Sequence, residues 1–476
     1  MIGWIKIIGR DSLVYGFGGV LSKAIGIISV PLLTRAFSPE IYGQIDLLLL
    51  IGGFLSVFLV MGTDSALSYY YFNHSKDKNE SIIVSTIFFW QLFWGTFCIA
   101  IFIFLKPYIN IFFFKNQISS SIFFLIALTN FILLLSNLPT NLFRLNHLPY
   151  HFTFNNFTTS FISTFFSLYL IYFKDFHIIA VFYGLLTSSF FSLFFCWYHN
   201  FHHISTRFFN PKFLKEILLF SVPFLPEAFI WTFMTSVDRV LILRYLGSYD
   251  VGIYSLGSKI GLIIMFAVQT FRLAWLPLSM KFIKLSEGKI IFRLVSRYYI
   301  LVGFTTVLIL TIFSNNIVDI ISTNEYGDAS KLIGFFSLQG VLSSYNLIVS
   351  IGITKTKKTY LFPIFLLIAS LVNLILNVVL IPKLGSYGAV VSTVISYIVW
   401  NSILLIYSEK LWKVEFPIFS IFSSLCVTSF GIYLLNTMIS GGLNYFIIIM
   451  TCLVLIFVNI LLLVKKSDIS YIYNSY

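Results

Sequence analysis

The chain has 476 residues, 58% of them hydrophobic and only 10% charged, with a mean hydropathy of +0.92. Soluble domains carry about 25% charged residues, so this composition excludes them. Apolar runs of about 20 residues recur along the chain, each enough to cross a ~30 Å hydrocarbon core, and they read as an all-α polytopic membrane protein. The net charge of +13 would point a soluble protein towards nucleic acid. Here it sorts by position between the apolar runs, and no nucleic-acid partner is expected.

In chain order, fourteen spans are predicted at 13–36, 43–70, 82–105, 119–143, 152–173, 178–198, 217–243, 251–280, 298–321, 331–352, 361–381, 386–408, 417–438 and 445–464. Met1–Arg10 leads into the first without a small-residue cleavage site, so no cleavable signal is expected. The first span holds Lys23 near its middle and the helix breakers Gly18, Gly19, Gly26 and Pro31. The second holds Asp46 and Asp64, 18 residues apart, which on one helix is five turns and a shared face. The seventh holds Pro223, Pro226, Glu227, Asp238 and Arg239; Glu227 and Asp238 are 11 apart, again nearly one face. The eighth holds Lys259 and Arg272, 13 residues apart. The four cysteines, Cys98, Cys196, Cys426 and Cys452, fall inside spans without metal spacing and read as buried free thiols. No catalytic, metal or Walker motif is present, so neither an enzyme nor a bound cofactor is expected.

Starting with the amino terminus inside, cytoplasmic segments carry 20 Lys and Arg and the opposite side seven. This bias places both termini in the cytoplasm. Cytoplasmic Lys and Arg also suit contact with anionic lipid headgroups.

The chain also repeats at a spacing of 209 residues. Leu32, Arg35, Gly43, Leu47, Ile51 and Gly52 recur as Leu241, Arg244, Gly252, Leu256, Ile260 and Gly261. Further on, Lys174, Ala180 and Val181 recur as Lys383, Ala389 and Val390. The expected organisation is therefore two six-helix lobes, 1–208 and 209–413, with spans 13 and 14 and a tail over 414–476. Two same-direction halves in a membrane chain point to a transporter whose site lies at their interface.

A charge at a helix centre costs about 2.5–3.5 kcal/mol on insertion scales, so intramembrane charges are the candidate functional residues. Lys23, Lys259 and Arg272 are candidate substrate-binding cations. Asp64, Glu227, Asp238 and Arg239 are candidates for ion coupling or charge pairing, with H+ or Na+ as the coupling ion. Gly18, Gly19, Gly26, Pro31, Pro223 and Pro226, in repeat-related spans, are candidate hinges.

Four stretches carry a family resemblance. "SVDRVLILRYLGSYDVGIYSL" within 236–282, "IPKLGSYGAVVSTVISYIVW" within 381–412, "LLTRAFSPEIYGQIDL" at 32–47 and "MGTDSAL" at 61–67 resemble bacterial polysaccharide repeat-unit flippases. These are the Wzx-type proteins of the multidrug/oligosaccharidyl-lipid/polysaccharide exporter superfamily. One departure stands out. Family members often carry an arginine just after the segment like Gly62–Leu67, where this chain has Ser68-Tyr69-Tyr70, so any cation role there is absent or displaced to Arg272. The resemblance implies a multi-pass protein of the bacterial inner membrane with a cationic central cavity. It implies that undecaprenyl-pyrophosphate-linked repeat units are moved by alternating access for O-antigen or capsule assembly. A polysaccharide polymerase and a chain-length regulator are the partners it implies. The alternatives are a cation-coupled drug antiporter of the same superfamily, a polysaccharide polymerase, and a flippase for another lipid-linked glycan.

Overall fold

The structure, a computed structural model, describes residues 2–74 and 80–465, without the side chains of 2–13, 15–17, 20, 23 and 72–74. All the secondary structure described is helical. Packing divides the chain into two compact units, 1–236 and 237–476. This is a boundary of compactness, distinct from the duplication boundary expected near residue 208.

The first unit contains α1 (Ile2–Ala36), α2 (Pro39–Val60), α3 (Thr63–His74), α4 (Glu80–Phe114), α5 (Ser120–Leu145), α6 (Pro149–Lys174), α7 (Ile179–Asn200), α8 (Pro211–Ser221) and α9 (Phe224–Met234). The second contains α10 (Val237–Tyr245), α11 (Ser248–Gly261), α12 (Met265–Phe282), α13 (Gly288–Ile312), α14 (Ser314–Ile321), α15 (Ser330–Val349), α16 (Ile351–Lys355), α17 (Leu361–Leu384), α18 (Ser386–Leu411), α19 (Ile418–Ser440) and α20 (Tyr445–Leu463).

Each of the fourteen predicted windows is mostly helical, several of them interrupted by a turn. Among the described residues, eleven helical stretches are long and apolar enough to cross a membrane, and the bent pair α8–α9 is a twelfth. In α1 the described apolar stretch is shorter, Ala24–Ala36. α6 has the length but dilutes its apolar residues with Asn155, Asn156, Thr158, Thr159 and Ser160. Large apolar side chains face outward along the helices, with Phe104 74%, Phe173 75% and Phe419 82% exposed. Water would not tolerate so much apolar surface; lipid does. Cys98, Cys196 and Cys452 are buried free thiols as expected, whereas Cys426 is exposed.

In the first unit α6 packs between α1 and α7. Gly18 explains the α1 contact, because a Cβ there would lie 2.2 Å from Thr153 Cγ2. A Cβ at Gly19 or Gly26 would meet nothing within 4 Å. α1 runs unbroken through all three glycines and Pro31. We therefore expect Gly18→Ala to lower thermal stability by about 1–3 kcal/mol through overpacking. Gly19→Ala should be neutral and Thr153→Ala should rescue Gly18→Ala, as read by unfolding of the purified variants.

In the second unit the recognised motif pieces make helix corners. The tetrapeptide Leu-Gly-Ser-Tyr occurs at 246–249, between α10 and α11, and at 384–387, between α17 and α18. Both glycines have positive φ, +109° at Gly247 and +63° at Gly385, and the Gly385 Cβ position faces Leu246 Cδ1 at 3.9 Å. The motif therefore builds two adjacent corners, a scaffold role.

Candidate functional site

Two polar centres stand out, one in each unit. In the first, α2 ends in the left-handed region at Met61 (φ 46°) and Gly62 (φ 71°), and α3 starts at Thr63. The predicted second span is thus broken. Asp46 and Asp64 lie on different helices, which corrects the shared-face expectation. The seventh span breaks as well: α8 and α9 meet at Val222-Pro223 with a 42° bend. Pro223 supplies no N–H to the helical ladder, which accounts for the break. The two breaks touch, since a Cβ on Gly62 would lie 2.5 Å from the Ser221 carbonyl oxygen and 3.1 Å from Phe224 Cβ.

Asp64 and Glu227 both sit in the first turn of a helix and both are exposed. A carboxylate there is favoured by the helix dipole, which is sufficient reason for its position. Asp64 also opens onto a cavity of about 170 Å³ lined by Thr63, Gln91, Asn137 and Asn141 with four aliphatic side chains. The sequence reading did not single out Gln91, Asn137 or Asn141. It weighed ionisable residues only, and a lone amide in an apolar span carries the same warning at lower cost.

In the second unit Asp238 is buried at 4% exposure. Its Oδ1 accepts from the Arg239 backbone N–H at 2.8 Å and lies 3.8 Å from the Arg239 guanidinium. Its Oδ2 accepts from the hydroxyl of Tyr254, a fully buried residue on α11. The Arg239 guanidinium also lies 5.8 Å from the centre of the Tyr254 ring. Asn373 Nδ2 on α17 donates to Thr393 Oγ1 on α18 at 3.2 Å, and Asn377 Nδ2 donates to Asn373 Oδ1 at 3.0 Å; Thr393 gives its own proton to the Ala389 carbonyl at 3.1 Å. Asp238 with Tyr254, and Thr393 with Asn373 and Asn377, therefore form two buried polar groups spread over four helices of this unit. Glu227 and Asp238 do not share a face, because Thr235–Ser236 separates α9 from α10 and the two residues fall in different units.

Of the expected cations, Lys259 is half-buried near the end of α11 and Arg272 is exposed on α12, with the 3-10 turn Leu262–Ile264 between the helices. The Lys23 side chain lies outside the described residues. Beside Arg272, an apolar cavity of about 440 Å³ runs between α12, α13 and α15, lined by Val268, Phe271, Tyr299 and Val302 among others. Among the described residues, no cluster of three His, Cys, Asp or Glu is placed to hold a metal.

Comparison with solved structures places this architecture. The chain resembles the lipid II flippase MurJ in an inward closed conformation, at 16% identity and a TM-score of 0.69, covering 98% of this chain and 100% of that one. It resembles an outward-facing multidrug resistance MATE family transporter of the MOP superfamily at 14% identity and TM-score 0.62, over 86% of this chain and 96% of that one. A Vibrio cholerae MATE transporter, VcmN, follows at 10% identity and TM-score 0.58, over 86% and 97%. No curated protein matches the chain in sequence. The fold is thus the all-helical one shared by flippases and multidrug transporters of that superfamily, in a multi-pass membrane protein. The family model described as polysaccharide biosynthesis protein matches residues 32–272, half of the chain. The chain belongs to this polysaccharide biosynthesis family.

Proposed function

We propose that the protein is a flippase that moves undecaprenyl-pyrophosphate-linked oligosaccharide repeat units from the cytoplasmic to the outer leaflet of the inner membrane. The glycan would serve O-antigen or capsule assembly. The observation that carries this reading is family membership over 32–272 in a chain whose fold follows a flippase end to end. Pyrophosphate and sugar hydroxyls cannot cross hydrocarbon unaided. We assign the pyrophosphate to the intramembrane cations, Lys259 and Arg272 of the second unit and, from its place in the sequence, Lys23 of the first. The apolar cavity beside Arg272 offers a lipid chain a path within the second unit. The excess of basic residues in alternate loops supports cytoplasmic termini. A polysaccharide polymerase and a chain-length regulator are the proposed partners.

Coupling would fall to Asp238. Its carboxylate is buried and accepts from the Tyr254 hydroxyl, and H+ or Na+ would neutralise it in the proposed cycle. Glu227 and Asp64, both exposed, fit that role less well. Alternating access then exposes the substrate to one leaflet at a time.

The test is complementation of a host strain lacking the chain. Wild type should restore surface polysaccharide and clear the inner-leaflet lipid-linked intermediate. Arg272→Ala should reduce surface polysaccharide at least about tenfold at unchanged protein level, a loss of one charge-assisted hydrogen bond. Arg272→Lys should keep part of it. Full output from Arg272→Ala would remove that residue from substrate binding. The fold likeness to multidrug transporters keeps one second reading, drug export; it predicts raised drug susceptibility and intact surface polysaccharide in the deletion strain.

A further inference from the structure

The geometry points to the cavity between α3, α4 and α5 as a subsite that seats one pyranose ring of the glycan, read by Gln91, Asn137, Asn141 and Asp64. This rests on the flippase reading and assigns residues to its substrate.

Gln91 is 4% exposed on α4. Its Nε2 donates to Thr63 Oγ1 at 2.9 Å. Thr63 spends its own proton on the Val60 carbonyl at 2.8 Å, so towards Gln91 it can only accept. That fixes the amide's orientation and leaves Gln91 Oε1 buried and without a partner, on a side chain that lines the cavity. A buried, unpaired carbonyl oxygen costs about 1–3 kcal/mol, so the position invites a donor from whatever fills the cavity.

Size and chemistry narrow the occupant. The volume is about 170 Å³. A cavity of about 150 Å³ accepts a benzene ring; a pyranose is bulkier, and its substituents would extend through the open side at the exposed Asp64 and Asn137. A hard cation would instead draw its oxygen ligands to within about 2.3–2.6 Å and need far less space. A lipid chain would strand five polar side chains against hydrocarbon. The lining matches a sugar. Asp64 offers two acceptor oxygens, Gln91 one, and Asn137 and Asn141 each carry donors and an acceptor. Asn141 commits one Nδ2 hydrogen to the Asn137 backbone carbonyl at 3.0 Å, which holds its side chain in place. Leu138 and three other aliphatic side chains complete the wall, suited to the C–H face of a ring.

The repeat shows which parts of the cavity belong to one half only. Residues 209 further on from Asp64, Gln91 and Asn141 are Leu273, Ile300 and Ser350, whereas Asn137 recurs as Asn346. The carboxylate and two of the three amides are thus not common scaffold.

The experiment uses the full chain in nanodiscs with methyl hexosides, methyl 6-deoxyhexosides and methyl N-acetylhexosaminides as probes, read by saturation-transfer NMR. At least one glycoside should bind wild type, with affinity about tenfold lower in Gln91→Leu and in Asn141→Leu, as expected for one lost net hydrogen bond. Phe104→Ala, an exposed apolar position, should bind as wild type does. Unfolding midpoints identify any variant that merely misfolds, and Asn137→Leu then replaces it. Absence of binding by every glycoside, or equal binding by all pocket variants, overturns the subsite. Binding of radioactive sodium that is lost in Gln91→Leu, with glycoside binding unchanged, overturns it in favour of a cation site. Complementation separates the two readings. If wild type restores surface polysaccharide and the pocket variants match it in export and in binding, the subsite alone falls. If wild type fails to complement, the flippase reading falls.

Discussion

Gly62→Ala is expected to destabilise the protein by about 3 kcal/mol and to abolish surface polysaccharide. Two costs add. A left-handed backbone costs a residue with a Cβ about 1–2 kcal/mol, and Gly62 sits at φ 71°. The new Cβ would also lie 2.5 Å from the Ser221 carbonyl oxygen, a backbone atom at the end of α8 that cannot rotate away. Overpacking of this kind costs about 1–3 kcal/mol. Gly53→Ala is the control, since its Cβ would meet nothing within 4 Å. Thermal unfolding in detergent and polysaccharide export should separate the two alanines. Equal stability of both variants would show that the break at Gly62 is not fixed by the contact with Ser221.

Asp238→Ala is expected to cost about 3–5 kcal/mol, the range for removing one partner of a buried charged pair. The Tyr254 hydroxyl loses its acceptor and Arg239 its neighbouring carboxylate. Tyr254→Phe should cost less, about 1.5–3 kcal/mol, the worth of a hydrogen bond to a charged group. The double variant should be less destabilised than the two single effects summed, because the second change removes a group already stranded by the first. Strict additivity in that cycle would mean the two side chains do not act together. If Asp238 serves coupling, Asp238→Asn should also flatten the dependence of export on external Na+ or pH while retaining more stability than Asp238→Ala.

The helices were legible because a bilayer demands long apolar runs, and hydropathy reports those directly. The breaks were legible only where the side chain announces them. Pro223 and Pro226 flagged the bend between α8 and α9. Gly62 did not, because the apolar run 43–70 passes straight through it and hydropathy is blind to φ. Asp46 on α2 and Asp64 on α3 therefore lack the shared face that one continuous helix would have given them. Asp238 was visible as an intramembrane charge, but its partner Tyr254 and the separate group of Thr393, Asn373 and Asn377 were not. They are neutral, lie on four helices with Asp238, and are assembled by packing alone. Asn373 and Asn377, four residues apart on α17, could have been flagged as two amides on one face of a strongly apolar helix. The Leu-Gly-Ser-Tyr pieces that carried the family resemblance turned out to be corners, so the most recognisable sequence is not where the chemistry lies.

The contact between Gly62 and Ser221 has a mechanical consequence. On one side of it α3 and α8 share a core that includes Ala66, Leu67, Tyr71 and Ile217. On the other, α2 meets α9 through Phe54, Phe58 and Phe229, with ring centres 5.9 and 6.0 Å apart. Two blocks thus meet along a seam where neither helical ladder is continuous, and bending there sacrifices few backbone hydrogen bonds. The two interruptions lie side by side, so a change of angle at one is made against the other. The polar cavity borders this seam, with Val60 on one side of the break and Thr63 and Asp64 on the other. A molecule in the cavity would therefore touch both sides of the break at once.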